Sequence, residues 1–206
     1  AGAVADHGAL DAAVKAAQDS AAQQVIKAAT LAPAAVPAEQ EKVAEGAAAD
    51  AAQAATVVRN VVFIDPSVTD YATLIKDSAA DTRVVVLDAS REAFQQMADA
   101  LTGLSNLDSV QVVSHGGEGN LYIAGRAYWT EGLEAHATQL QAIGAALKPS
   151  GDILFYACDL AAGMRGATFV DTVHRLTGAD VAASSDGTGN QAGENWTLEV
   201  VTGTIE

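Results

Sequence analysis

From residue 57 onward, short apolar runs rich in β-branched residues alternate with stretches of helical periodicity. The runs at 61–65, 84–88, 110–114, 153–157 and 181–184 predict strands. The stretches near 69–79, 91–102, 131–147 and 165–177 predict helices, and Phe94, Met97, Ala98 and Leu101 share one face of the second. Near-continuous apolar strands followed by helices predict an α/β domain whose parallel sheet is covered on both faces. Residues 121–123 and 127–129 flank Ala124, Gly125 and Arg126 and predict a β-hairpin inserted after the third strand. Residues 196–201 predict a final strand, antiparallel at a sheet edge. No internal repeat and no glycine-rich nonapeptide array is present.

Residues 1–56 follow a different pattern. They contain 24 Ala, four Asp, three Glu and three Lys, and no aromatic residue. Alanine is the best helix former, so 8–31 and 38–55 are expected to be helical. Pro33 and Pro37 separate them, because proline cannot continue a helix interior. Leu10, Val14, Val25, Ile26, Leu31 and Val43 make an apolar face too thin for a core. The segment reads as a helical linker or stalk, with a pro-segment or a docked helical hairpin as alternatives. The expected organisation is therefore 1–56, Ala-rich, followed by an α/β domain at 57–206.

Composition narrows the function. Eleven Lys and Arg stand against 26 Asp and Glu, a net charge of -15. Nucleic-acid binding needs clustered cations, so no nucleic-acid partner is expected, nor a polybasic membrane surface. No apolar run reaches the roughly 18 residues of a membrane helix, so no membrane insertion is expected. The single Cys excludes an internal disulfide and a Cys-based zinc cluster. The chain begins with Ala and shows no secretory signal, which suggests a fragment or processed form.

Ligands of open α/β sheets bind at the carboxyl ends of the strands. The first two predicted strands end in Asp65 and Asp88. The third ends in Ser114-His115-Gly116-Gly117, the fourth in Cys158-Asp159, and the fifth runs into Ser184-Ser185-Asp186-Gly187. If the third and fourth strands pair, His115 and Cys158 could face one another across about 4.8 Å. A thiol is mostly protonated at neutral pH, and an adjacent imidazole can take its proton for attack on a carbonyl carbon. The N–H groups of Gly116 and Cys158 could stabilise the oxyanion. Gly116 and Gly117 let backbone approach a substrate.

Asp65, Asp159 and Asp186 could bind a basic side chain or calcium; otherwise they cap turns and helices. Ser184 and Ser185 could line a substrate cleft. His136 and His174 read as surface or packing residues, His7 as solvated, and Trp129 and Trp196 as core or hairpin anchors. Gly116-Gly117-Glu118-Gly119 lacks the Lys-Ser/Thr of a nucleotide loop. No G-x-S-x-G elbow supports a serine hydrolase.

The blocks VQVVSHG and ILFYAC resemble the hydrophobic-His-Gly and hydrophobic-small-Cys blocks of the caspase–gingipain–legumain superfamily of cysteine peptidases. That resemblance implies a caspase/hemoglobinase-like sandwich with His115 as catalytic His, Cys158 as nucleophile and Gly116 in the oxyanion hole. A wider match covers 58–203 through VVFIDPSVTDY, VSHGGEGNLYIAG, LFYACDLAAGMRG, GADVAASSDGTG and NWTLEV. These pieces resemble an uncharacterised domain near the N-terminus of very large, often adhesin-like bacterial repeat proteins. It implies secretion or surface display in Gram-negative bacteria, with the rest of a repeat protein as neighbour.

Two expectations follow. The first is a cysteine peptidase-like domain acting on a polypeptide substrate or its own chain, without a cofactor. The acidic rim suggests Arg or Lys at the cut, with Lys15, Lys27, Lys42 and Arg59 as candidate sites. The second is a non-catalytic adhesin module for secretion, retention or contact, with calcium as a candidate ligand of the rim.

Overall fold

The chain divides into two units at Ala55–Thr56. The computed structural model describes residues 57–69, 71–76 and 78–206. The expected helices at 8–31 and 38–55, His7 and the candidate cut sites Lys15, Lys27 and Lys42 lie outside the described residues.

The described residues form an α/β domain with a mostly parallel mixed sheet flanked by helices. Strands β1 (Asn60–Ile64), β2 (Thr82–Val86), β3 (Leu107–Val113), β7 (Leu147–Tyr156), β8 (Asp180–Ala183) and β9 (Val200–Thr202) make one sheet. Its order is β2-β1-β3-β7-β8-β9. All neighbours are parallel except β9, which runs antiparallel to β8 at the edge. The order reverses at β1, so the crevice past the carboxyl ends of the strands beside it is the expected ligand position.

The predicted hairpin is present as β5 (Asn120–Ile123) and β6 (Arg126–Trp129). It gains a third strand, β4 (His115–Gly117), which pairs antiparallel with β5. The polar, glycine-rich sequence of β4 carries no strand signal; the hairpin imposes its extended form.

Among the described residues the two sheet faces are unequally covered by helices. On one face Val110, Val112, Ile153 and Phe155 pack against α2 (Ala93–Leu101), α3 (Ala137–Ala146) and α4 (Gly163–Thr177). On the other, Ile75 of the short α1 (Tyr71–Ile75) lies near Val62, Ile64 and Val113. Along β1, Val61 and Phe63 point to the first face and are fully buried, whereas Val62 on the second is half-buried; Ile64, at the end of the strand on the second face, is buried as well.

Local chemistry sets the helix ends. The Glu92 carboxylate accepts the N–H groups of Phe94 and Gln95 at the start of α2. Gly178, at φ 73°, closes α4 with its N–H on the His174 carbonyl. The stretch predicted as helix at 131–147 opens as a 3₁₀ segment, Thr130–His136, before α3. His136 packs beside Phe94 and Tyr128, and His174 Nδ1 lies 2.7 Å from the Ala179 carbonyl. Among the described residues, no helix is long and apolar enough to cross a membrane.

Candidate active site

β3 and β7 are adjacent parallel strands, and their last residues, Val113 and Tyr156, are register partners. The Ser114 N–H extends the ladder by donating to the Tyr156 carbonyl at 3.1 Å. His115 follows Val113 by the same two residues as Cys158 follows Tyr156. Both line one cleft of about 470 Å³.

Gly116 lies against the Cys158 backbone. A Cβ there would stand 2.7 Å from the Cys158 carbonyl oxygen and 3.0 Å from the Ala157 Cβ. This close approach requires glycine. The next turn is held from both sides. The Gly119 N–H donates to the Leu160 carbonyl at 3.0 Å, and the Asp159 and Ala161 N–H groups donate to Asp186 and Ser184 carbonyls at 2.8 Å each. Asp159 takes the left-handed conformation, φ 56°, uncommon for a residue with a side chain but more accessible to Asp than to most.

The half-buried thiol has one backbone partner. The Thr188 N–H donates to Cys158 Sγ at 3.3 Å, and Sγ donates to the Thr188 carbonyl at 3.6 Å. His115 is exposed. Thr188 belongs to a loop that folds on itself. Gly189 N–H donates to the Asn195 carbonyl, and Asn195 N–H to the Gly187 carbonyl, each at 3.0 Å. The Trp196 indole N–H reaches Asn190 Oδ1 at 2.8 Å.

Among the predicted site residues, the cleft lining brings together His115 and Cys158. Asp65 is only 2% exposed and turns inward; one oxygen accepts the Ser67 N–H at 2.7 Å and its hydroxyl, and the other accepts the Ala124 N–H at 2.5 Å. Ser184 is fully buried, and its hydroxyl donates to the Asp186 carbonyl at 3.1 Å. Both Asp186 oxygens accept from Asn195 Nδ2, at 3.2 and 3.0 Å. Ser185 N–H donates to the Glu199 carboxylate at 2.8 Å. Burial works against that carboxylate, yet hydrogen bonds from Ser185, from its own backbone N–H and from Ser184 together outweigh it and hold Glu199 below the ordinary glutamate value. Gly117 pairs with Asn120 in the small sheet. Asp159 is exposed beside the cysteine turn. Among the described residues, no group of three or more His, Cys, Asp or Glu side chains could hold a metal ion.

Two further expectations change. Trp196 is 39% exposed and lines the cleft, its ring 5.9 Å from that of Tyr156, instead of anchoring a core. Trp129 is 45% exposed on the hairpin. Arg59 precedes β1, at the opposite end of the sheet from the cleft, and pairs with Asp108 at 2.6 Å. The candidate cut site Arg59 therefore lies away from the cleft of its own folded domain.

Thr188, Tyr156 and Trp196 were not singled out as site residues by sequence reasoning. The available signal was position: Tyr156 alternates with Phe155 at a strand end, and Thr188 and Trp196 bound a loop of turn-forming residues.

The fold and site define an α/β domain with a cysteine and a histidine in one cleft, past the carboxyl ends of two adjacent parallel strands. The chain belongs to the family described as a domain of unknown function, DUF4347, whose family model matches residues 61–206. No curated protein and no solved structure matches the chain.

Proposed function

We propose that this is a cysteine peptidase-like domain of a large secreted bacterial surface protein, related to the caspase–gingipain–legumain superfamily and acting on polypeptide, its own parent chain included. The observation that carries the reading is the strand register. Pairing of Val113 with Tyr156 supports placing His115 and Cys158 as neighbours, and both open on one cleft.

In this reading the Cys158 thiol proton passes to the His115 imidazole. The sulfur attacks the peptide carbonyl carbon, a C–S bond forms, and the carbonyl π pair moves to oxygen. The Gly116 and Cys158 N–H groups stabilise that oxyanion. Collapse breaks the C–N bond, and the departing amine takes the proton from His115. Water then attacks the thioester while His115 takes its proton; the acid leaves and the thiol is regenerated. The Thr188 N–H pointing at Sγ supports the developed thiolate.

The two-sided Thr188 contact also favours a second reading, a non-catalytic adhesin module for secretion, retention or contact. A thiol that both donates to and accepts from one backbone unit is well satisfied as a packed group.

One experiment separates them. Iodoacetamide alkylation of Cys158 is followed by intact mass across pH, for the wild type and His115→Ala. The peptidase reading expects alkylation near neutral pH, slowed about tenfold or more in the variant, the scale of an assisting base. Slow alkylation that the variant does not alter overturns it in favour of the adhesin module.

A further inference from the structure

The acidic rim in the sequence suggested a preference for Arg or Lys, but the folded cleft has a different lining. The Asp65 carboxylate is buried on Ala124 and Ser67, and that of Asp186 is held by Asn195. Among the described cleft-lining residues the carboxylate is Glu194, whose Oε2 accepts the Gln191 N–H at 2.9 Å. These three carboxylates already have partners inside the fold; Asp159, the remaining rim residue, is exposed beside the cysteine turn and does not line the cleft.

The cleft continues along the less covered sheet face. A second hollow of about 360 Å³ shares Val113, Tyr156 and Trp196 with it. Its other lining residues are Val62, Ile64, Ile75, Ser78, Thr82 and Gln111, and every described residue that lines it is uncharged. Tyr156 stands two residues before Cys158 along the chain, one side-chain repeat of a strand, about 7 Å. The volume holds a Leu or Phe side chain. A guanidinium or carboxylate placed there would lose part of its hydration and meet no opposite charge among the described lining residues, which disfavours it against an apolar side chain.

We propose that this hollow receives the side chain of the residue whose carbonyl is cut, and that the domain selects polypeptides with a large apolar residue at that position. The inference rests on the peptidase reading and names its substrate class. Val113, Tyr156 and Trp196 are then specificity-determining residues, with Gln111 at the polar margin.

The test uses the full chain and peptidyl acyloxymethyl ketones of the form Ala-Ala-Ala-X, with X = Leu, Phe, Arg or Asp. Rates of Cys158 labelling are read by intact mass, and the site is located by peptide mapping. The Leu and Phe probes are expected to label at least tenfold faster than the Arg and Asp probes. Gln111→Glu, which places a carboxylate in the hollow, is expected to lower the ratio of Leu-probe to iodoacetamide rate at least fivefold. An Arg or Asp probe that labels fastest, or four equal rates, overturns the proposal. If His115→Ala slows iodoacetamide while Arg is preferred, the apolar preference alone fails. If His115→Ala leaves iodoacetamide unchanged and no peptidyl probe outpaces it, the peptidase reading fails and this inference with it.

Discussion

Asp65 uses both carboxylate oxygens inside the protein. It closes the turn after β1 through Ser67 and ties that turn to the hairpin through the Ala124 N–H. Ala124 is itself buried and takes φ 50°, so its N–H has no water to fall back on. A hydrogen bond to a charged group is worth about 1.5–3 kcal/mol, and the orphaned buried donor adds to the loss. Asp65→Ala is expected to destabilise the domain by about 3 kcal/mol, measured by urea unfolding. A loss below about 1 kcal/mol would show that the carboxylate is not a structural tie. At this scale the sequence was informative about rare residues and silent about common ones. His115 and Cys158 stand out as reactive types at strand ends. Thr188 acts through its backbone, so its residue type carries no trace of the contact.

The same division holds for the elements. Every strand of the main sheet overlaps an expected one, because β-branched runs at this spacing have few other uses; the last is shorter than expected, Val200–Thr202, with 196–199 outside it. β4 was not, since His-Gly-Gly is extended only because β5 lies beside it. The unequal faces were not legible either, because alternation was masked by apolar residues on both sides of β1 and β7. Neighbouring residues on β7 measure the inequality. Phe155 is buried and meets Phe169 edge-on at 5.9 Å, whereas Leu154 faces the other way and is half-buried. Phe155→Ala is expected to cost about 3–5 kcal/mol and Leu154→Ala about 1 kcal/mol. In thermal melts that is a fall of roughly 10 °C against roughly 3 °C. Equal losses would mean that both faces are packed alike.

Across the whole molecule the sheet separates two kinds of chemistry. Its carboxyl end carries the cleft. Its amino end carries a charged group in which Asp108 pairs with Arg59 at 2.6 Å and with Lys148 at 3.0 Å. Those cations hold Asp108 below the ordinary aspartate value. Its contribution is present above about pH 4 and is lost as pH falls. Asp152 lies on β7 at the same end, 3% exposed, with one oxygen accepting the Glu206 N–H at 3.1 Å and the other without a partner. Burial pushes its carboxyl up, and the charges of Asp180 and Glu206 push the same way. A raised carboxyl binds its proton more tightly in the fold than in the unfolded chain. Its contribution is therefore full below about pH 4 and is lost as pH rises through the raised value, opposite in sign to Asp108. Ionised Asp152 is thus a cost at neutral pH, in a chain whose net charge is already -15. An amide keeps the acceptor for Glu206 and turns a donor toward the neighbouring carboxylates. Asp152→Asn is expected to raise Tm by roughly 3 °C at pH 7, about 1 kcal/mol, and the gain should shrink to nothing near pH 3. Taking the difference between variant and wild type at each pH cancels the acid loss from Asp108. A variant less stable at pH 7, or a gain independent of pH, would mean that Asp152 is stabilised as a carboxylate in the fold.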